Sequence, residues 1–287
     1  MARPCGLILS GIDDLAGSRR RLSVLHLRIL SGLVFGLLTL LVVHLGGVLF
    51  FAAVLAVAIL AGREYQRMIV GGGYRASYAL QLALTTFFLL GTICLSADAI
   101  LGGLTLILIS SLAWQVGRRH EKGQPFVDWA LGLAGALYVG WLCSHFLMLR
   151  RLPGGMGWTL LALFPTWACD SFAYVFGKAW GKHSFFPQIS PRKTWEGTLA
   201  GWVGGTSTSL LFGVALGLSI SQALTLGLAI SLAATFGDLV ESMIKRQAGV
   251  KDSGSLVPGH GGILDRMDSL LFVVVVVYYF LTWVVGV

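Results

Sequence analysis

Two carboxylate pairs stand near the end of the chain. Asp265 and Asp268 are three residues apart, as are Asp238 and Glu241. On a helix that spacing turns both members of a pair to one face. Each pair adjoins an apolar run, one ending near Val240 and one carrying Val273 to Val277. Acids at the edge of hydrocarbon are costly and mark function by default. Oxygens delivered by two helices suit Mg²⁺, which takes one or two carboxylates with waters and substrate phosphates. Asp238, Asp265 and Asp268 are therefore candidate metal ligands. The plainer roles are an N-cap for Asp265 and a solvated pair of Glu241 with Lys245. A cap accounts for one carboxylate of its pair, not for two.

The stretch between the pairs carries Lys245, Arg246 and Lys251 together with Gly254, Gly259, Gly261 and Gly262. Exposed backbone N–H groups beside cations cradle phosphate. The segment is not a Walker A loop. His260, between glycines, could donate to a phosphate or move a proton. A second polar stretch runs from Lys178 to Glu196. There Ser190 reads as an N-cap and Pro191 as the first helical residue. That leaves Arg192 and Lys193 at a helix start, where the dipole disfavours cations; a bound anion would resolve the conflict. Asp170 lies inside an apolar run and calls for a basic residue or a cation as partner.

The elements that must hold these groups are membrane helices. Of 287 residues, 56% are hydrophobic and 12% charged, and mean hydropathy is +0.80. Soluble domains carry roughly 25% charged residues. The composition excludes an ordinary soluble domain and predicts an all-α polytopic integral membrane protein. The net charge of +8 does not argue for a nucleic-acid partner, because the basic residues cluster beside apolar runs. There they fit topology signals and anionic headgroups. Cys5, Cys94, Cys143 and Cys169 show no metal or disulfide spacing.

Hydropathy predicts about nine transmembrane helices. Residues 1–27, with Arg19 to Arg21, form a cytoplasmic segment; the likeness of Ser18-Arg19-Arg20 to a twin-arginine signal is outweighed by the many spans that follow. Residues 28–150 hold about five spans, and residues 151–287 hold about four with the two polar stretches. The run from Arg28 to Ala61 splits at His44 to Gly47 into a helical hairpin, and Arg63, Glu64, Arg67 and Arg75 mark the next turn. With the N-terminus cytoplasmic, nineteen of the 21 lysines and arginines fall inside, all but Arg150 and Arg151. Both polar stretches then share the cytoplasmic face.

Lys245-Arg246, Lys251-Asp252 and Pro258 through Asp268, with Arg266 inside it, resemble the signature of the phosphatidate cytidylyltransferases, the CDP-diacylglycerol synthases. Ile189 through Gly197, which includes Thr194 and Glu196, resembles a second block of that family, and Asp170 to Tyr174 a third, with Phe172 where the family has glycine. The likeness covers roughly residues 167–270. It implies transfer of a cytidylyl group from CTP to phosphatidic acid, with Mg²⁺ and room for a second cation, at the cytoplasmic face of the cell membrane. It implies Asp265, Lys251, His260 and Asp252 as catalytic residues. Substrate contacts would come from Lys245, Arg246, Ser190, Arg192, Lys193, Thr194, Glu196, Gly261, Gly262 and Arg266, and metal ligands from Asp238, Asp265, Asp268 and Asp170. It also implies a homodimer. The rival readings are a polyprenol kinase, an ether-lipid cytidylyltransferase and a secondary transporter. Acids clustered at one edge, without an inverted repeat, speak against the transporter.

Overall fold

The computed structural model describes residues 31–117, 124–254, 256 and 261–287. Residues 1–27, Arg118, Arg119, Lys122 and His260 lie outside the described residues. The chain is mostly helical. Helix α1 covers Ser31–Leu45, α2 Gly47–Gly71, α3 Tyr78–Cys94 and α4 Ala97–Gly117. A single rod, Pro125–Arg151, follows; it comprises α5 (Pro125–Gly135), a π-helical segment (Ala136–Trp141) and α6 (Leu142–Arg151). Then come α7 (Gly155–Trp180), strands β1 (Ser184–Phe186) and β2 (Ser190–Thr194), α8 (Trp195–Ala215), α9 (Ile220–Gln247) and α10 (Leu264–Phe280). Six of these helical stretches are long and apolar enough to cross a membrane, and α1 and α3 are shorter apolar helices.

The break between α1 and α2 falls where the pattern puts it. Gly46 and Gly47 adopt φ of 63° and 53°, conformations that side chains resist. The expected turn marked by Arg63, Glu64, Arg67 and Arg75 begins later, at residues 72–77, so that only Arg75 lies in it. Helix α2 runs to Gly71 because nothing in Arg63–Met68 breaks a helix. That extension carries Glu64 into the protein. A second difference concerns Ser190 and Pro191, which lie in β2, paired with β1 in the register Ser184 to Thr194 and Phe186 to Ser190. The cap of α8 is Thr194, whose hydroxyl accepts from the Gly197 N–H at 3.3 Å. Arg192 and Lys193 therefore sit on a strand, not at a helix start, and the dipole conflict is removed.

One hydrophobic core joins α2, α6, α7, α9 and α10, through residues such as Ala58, Phe146, Leu161, Ile230 and Val274. A smaller cluster of Leu84, Phe88 and Ala136 ties α3 to the π segment. Helices α7 and α8 touch backbone to backbone. A Cβ on Gly197 would lie 2.7 Å from the Ala173 carbonyl oxygen, so only glycine allows that approach. The two arginines that the charge pattern leaves on the far side both have work there. Arg150 donates to the Val43 carbonyl at the end of α1, and Arg151 to the Thr92 carbonyl at 2.6 Å near the end of α3. Helix C-termini present unsatisfied carbonyls and negative dipole ends, which suit a guanidinium.

Candidate active site

The β-hairpin and the α9–α10 connection meet at one end of the bundle. Arg246, near the end of α9, donates its Nε to the Ile189 carbonyl and its Nη1 to Val250. Lys193 on β2 pairs with Asp238 on α9 at 2.6 Å. Glu196 closes the hairpin: Oε2 accepts from the N–H groups of Lys182 and His183, and Oε1 pairs with His183 Nδ1 at 2.6 Å. Its own backbone N–H, then the His183 ring, pull its carboxyl from 4.5 down to about 2.

The acids separate into two groups. In the first, every oxygen of Asp265 is engaged. Oδ1 accepts from Lys245 Nζ at 2.7 Å; Oδ2 accepts from the Ser253 hydroxyl at 2.9 Å, the Ser253 N–H at 3.1 Å and the Gly262 N–H at 2.7 Å. Lys245 also pairs with the fully buried Glu241. Behind Asp265 stands Glu64, itself 0% exposed. Its carboxylate accepts from the N–H groups of Ile263 at 3.1 Å and Leu264 at 2.8 Å, and from the Ser253 hydroxyl at 3.2 Å. Helix α10 has no cap from its own sequence; its orphan donors are met by an acid from α2. Gly254 and Gly262 lie against Glu64 with no room for a Cβ.

The contacts of three expected site residues are now explicit. Asp265 clasps α9, α10 and the loop together, and it also lines the cavity that Asp170 and Asp268 share. The Gly262 N–H, expected to cradle phosphate, serves Asp265. Lys245 spends its charge on Glu241 and Asp265. Gly261, at φ 81°, turns the chain into this arrangement. Lys251, Asp252 and Arg192 are exposed and are drawn into neither group.

The second group is less enclosed, although its Asp238 pairs with Lys193 and accepts from the Ser242 hydroxyl at 3.3 Å. Asp170 on α7, Asp238 on α9 and Asp268 on α10 lie within electrostatic reach of one another, with Lys193 and Arg266 acting on Asp170. Asp268 Oδ1 accepts from the adjacent Ser269 N–H at 2.7 Å. Asp170 and Asp268 line one end of a cavity of about 470 Å³ between α1, α2, α6, α7 and α10. Its walls are apolar, with Phe35, Val42, Val54, Phe146 and Leu163, and Arg266 stands at its polar end. Among the described residues no three acids are assembled closely enough to form a ready-made metal site. The donor chemistry still fits Mg²⁺: hard carboxylate oxygens from separate helices, with positions left for waters and phosphates.

A model of the cytidylyltransferase family matches residues 26–284. The chain belongs to the cytidylyltransferase family. Within it, the chain is 35% identical over 306 residues to phosphatidate cytidylyltransferase 5, chloroplastic, of Arabidopsis thaliana, covering 94% of this chain and 75% of that protein. It is 36% identical over 290 residues to a phosphatidate cytidylyltransferase of Synechocystis sp., covering 88% and 95%. A third, from Thermotoga maritima, is 36% identical over 182 residues, covering 61% and 67%.

Two residues of the site are hidden from local sequence. Glu64 stands in a basic stretch that reads as a turn. Its signal was helical phase: Ala58, Ala61, Tyr65 and Met68 form a buried stripe, and Glu64 lies beside it on an unbroken helix. Ser253, buried between Glu64 and Asp265, carried no local signal, since a loop serine reads as polar filler.

Proposed function

We propose that this membrane-embedded enzyme transfers the cytidylyl group of CTP to phosphatidic acid, releasing pyrophosphate and forming CDP-diacylglycerol. A phosphate oxygen of the lipid attacks the α-phosphorus of CTP. The bond from that phosphorus to the bridging oxygen of the β-phosphate breaks, and pyrophosphate leaves with the electron pair. No protein nucleophile is needed, so the chain contributes positioning and charge. The observation that carries the reading is the placement of Asp170, Asp268 and Arg266 in the lining of an apolar cavity, with Asp238 and its partner Lys193 within electrostatic reach of those acids.

In this reading the cavity walls take acyl chain while the headgroup rests at the acids. Asp170, Asp238 and Asp268 would hold Mg²⁺, with room for a second cation; a bound cation would neutralise the phosphates as charge shifts to the leaving group. Lys193 and Arg266 would face the triphosphate and Arg246 and Arg192 would line its approach from the hairpin, while Lys251, Asp252 and His260 keep the catalytic roles that the family resemblance implies. Ser190 and Thr194 hold the strand that carries Lys193. Residues 28–150 scaffold the site formed by residues 151–287. The chain crosses the cell membrane about nine times with residues 1–27 and the site on the cytoplasmic side, and it works as a homodimer.

The test uses purified chain, phosphatidic acid and CTP labelled at the α- or the γ-phosphate. Label from the α-position alone should enter the lipid, and a chelator should stop the transfer until Mg²⁺ is restored. Entry of γ-label would identify a kinase and overturn the reading.

A further inference from the structure

The first five helical stretches enter the site at a second point besides Glu64. Tyr138 lies in the π-helical segment, where one extra residue per turn re-aims the side chains. Such segments concentrate at functional positions. Its hydroxyl is buried and finds no hydrogen-bond partner among the described residues. A buried orphan hydroxyl is destabilising, and phenylalanine would fill the same space without that penalty. The ring is held on two sides, by Tyr65 at 6.4 Å and by Phe272 at 6.5 Å between centroids. Phe272 stands one turn beyond Asp268 on α10, so the ring is fixed close to the acids. The charges acting on Tyr138 are those of Asp268, Glu241 and Asp238. Glu241 presents the matching vacancy: it is fully buried, one oxygen takes Lys245, and Oε1 has no partner among the described residues.

An orphan donor and an orphan acceptor therefore occupy the same interior region between the π segment, α9 and α10. We propose that Tyr138 is a positioning residue for cytidylyl transfer, its O–H donating to a water that in turn donates to the inner carboxylates, Glu241 and Asp268. The inference rests on the proposed reaction. Glu241 in turn holds Lys245, and Lys245 holds Asp265, so the tyrosine steadies both acid groups from the N-terminal half.

Tyr65 supplies the control. It is a neighbouring tyrosine, yet its hydroxyl is satisfied, donating to the Leu131 carbonyl at 3.1 Å. Tyr138→Phe and Tyr65→Phe are compared in the purified full chain, by thermal midpoint and by steady-state transfer of α-labelled cytidylyl to phosphatidic acid. Tyr138→Phe should keep or raise the midpoint and lower kcat by about 10- to 100-fold, the factor expected for one hydrogen bond to a charged group, with KM for CTP within about twofold. Tyr65→Phe should lower the midpoint and leave kcat per folded molecule unchanged. Wild-type kcat in Tyr138→Phe, or a loss that follows a lowered midpoint, overturns the assignment. An inactive wild-type chain would overturn the proposed reaction and, with it, the assignment that depends on it.

Discussion

Replacing Glu64 by glutamine keeps the shape of the side chain and removes one acceptor. In the wild type both oxygens are engaged, Oε1 by Ile263 and Oε2 by Leu264 and Ser253. A glutamine can keep its oxygen on the Leu264 side and so turn an NH₂ against the Ile263 N–H. One buried donor is then orphaned, and the anion at the start of α10 is gone. A hydrogen bond to a charged group contributes about 1.5–3 kcal/mol, and an anion at a helix N-terminus about 0.3–1 kcal/mol. The expected loss is about 2–4 kcal/mol from the sum of these effects. Glu64→Ala orphans two donors, the N–H groups of Ile263 and Leu264, while the Ser253 hydroxyl keeps Asp265; it should cost more, about 3–5 kcal/mol, the range for removing one partner of a buried charged contact. Denaturation of the detergent-solubilised chain measures the total. Amide exchange at Ile263 and Leu264 measures the local effect, which should appear there before it appears in α8. Turnover per folded molecule should fall as well, because Ser253 bridges Glu64 to Asp265. A Glu64→Gln chain within about 0.5 kcal/mol of wild type, below the expected effect of a single hydrogen bond, with unchanged exchange at α10, would refute the cap.

Substitutions in the two acid groups should separate stability from activity. Asp268→Asn relieves repulsion from Asp238 and Asp170, so the midpoint should hold or rise while transfer falls by about 100-fold or more; a lowered midpoint would count against the open group. Asp265→Asn breaks the clasp to Lys245, Ser253 and Gly262, so transfer and midpoint should fall together; full transfer in this variant would remove Asp265 from the site. Lys193→Ala should raise KM for CTP more than it lowers the midpoint, because its partner Asp238 is partly exposed; an unchanged KM would exclude triphosphate contact. For Glu196, the folded carboxyl is held at about 2 against an ordinary 4.5, so its contribution is complete above about pH 4.5 and is lost as pH falls toward 2. Amide exchange at Lys182 and His183 should accelerate in that window relative to intrinsic rates, and Glu196→Gln should abolish the pH dependence.

Sequence alone determined the membrane class and the family, and it brought Asp265 and Asp268 together. Composition decides the solvent, and a three-residue spacing keeps Asp265 and Asp268 close whatever the rest of the chain does. Local pattern also placed the α1–α2 break, because two adjacent glycines end a helix by their own conformational freedom. The division of labour among the acids needed the tertiary structure. Which carboxylate is clasped and which stays open depends on partners far along the chain: Glu64, about 200 residues before α10, and Lys193 on a strand that pairs only when β1 folds back. Ser190 and Pro191 read locally as a helix cap, yet ladder bonds to β1 outweigh that preference and move the cap to Thr194. Hydrogen bonding to a buried acid is set by three-dimensional proximity, and no periodicity in the sequence encodes it.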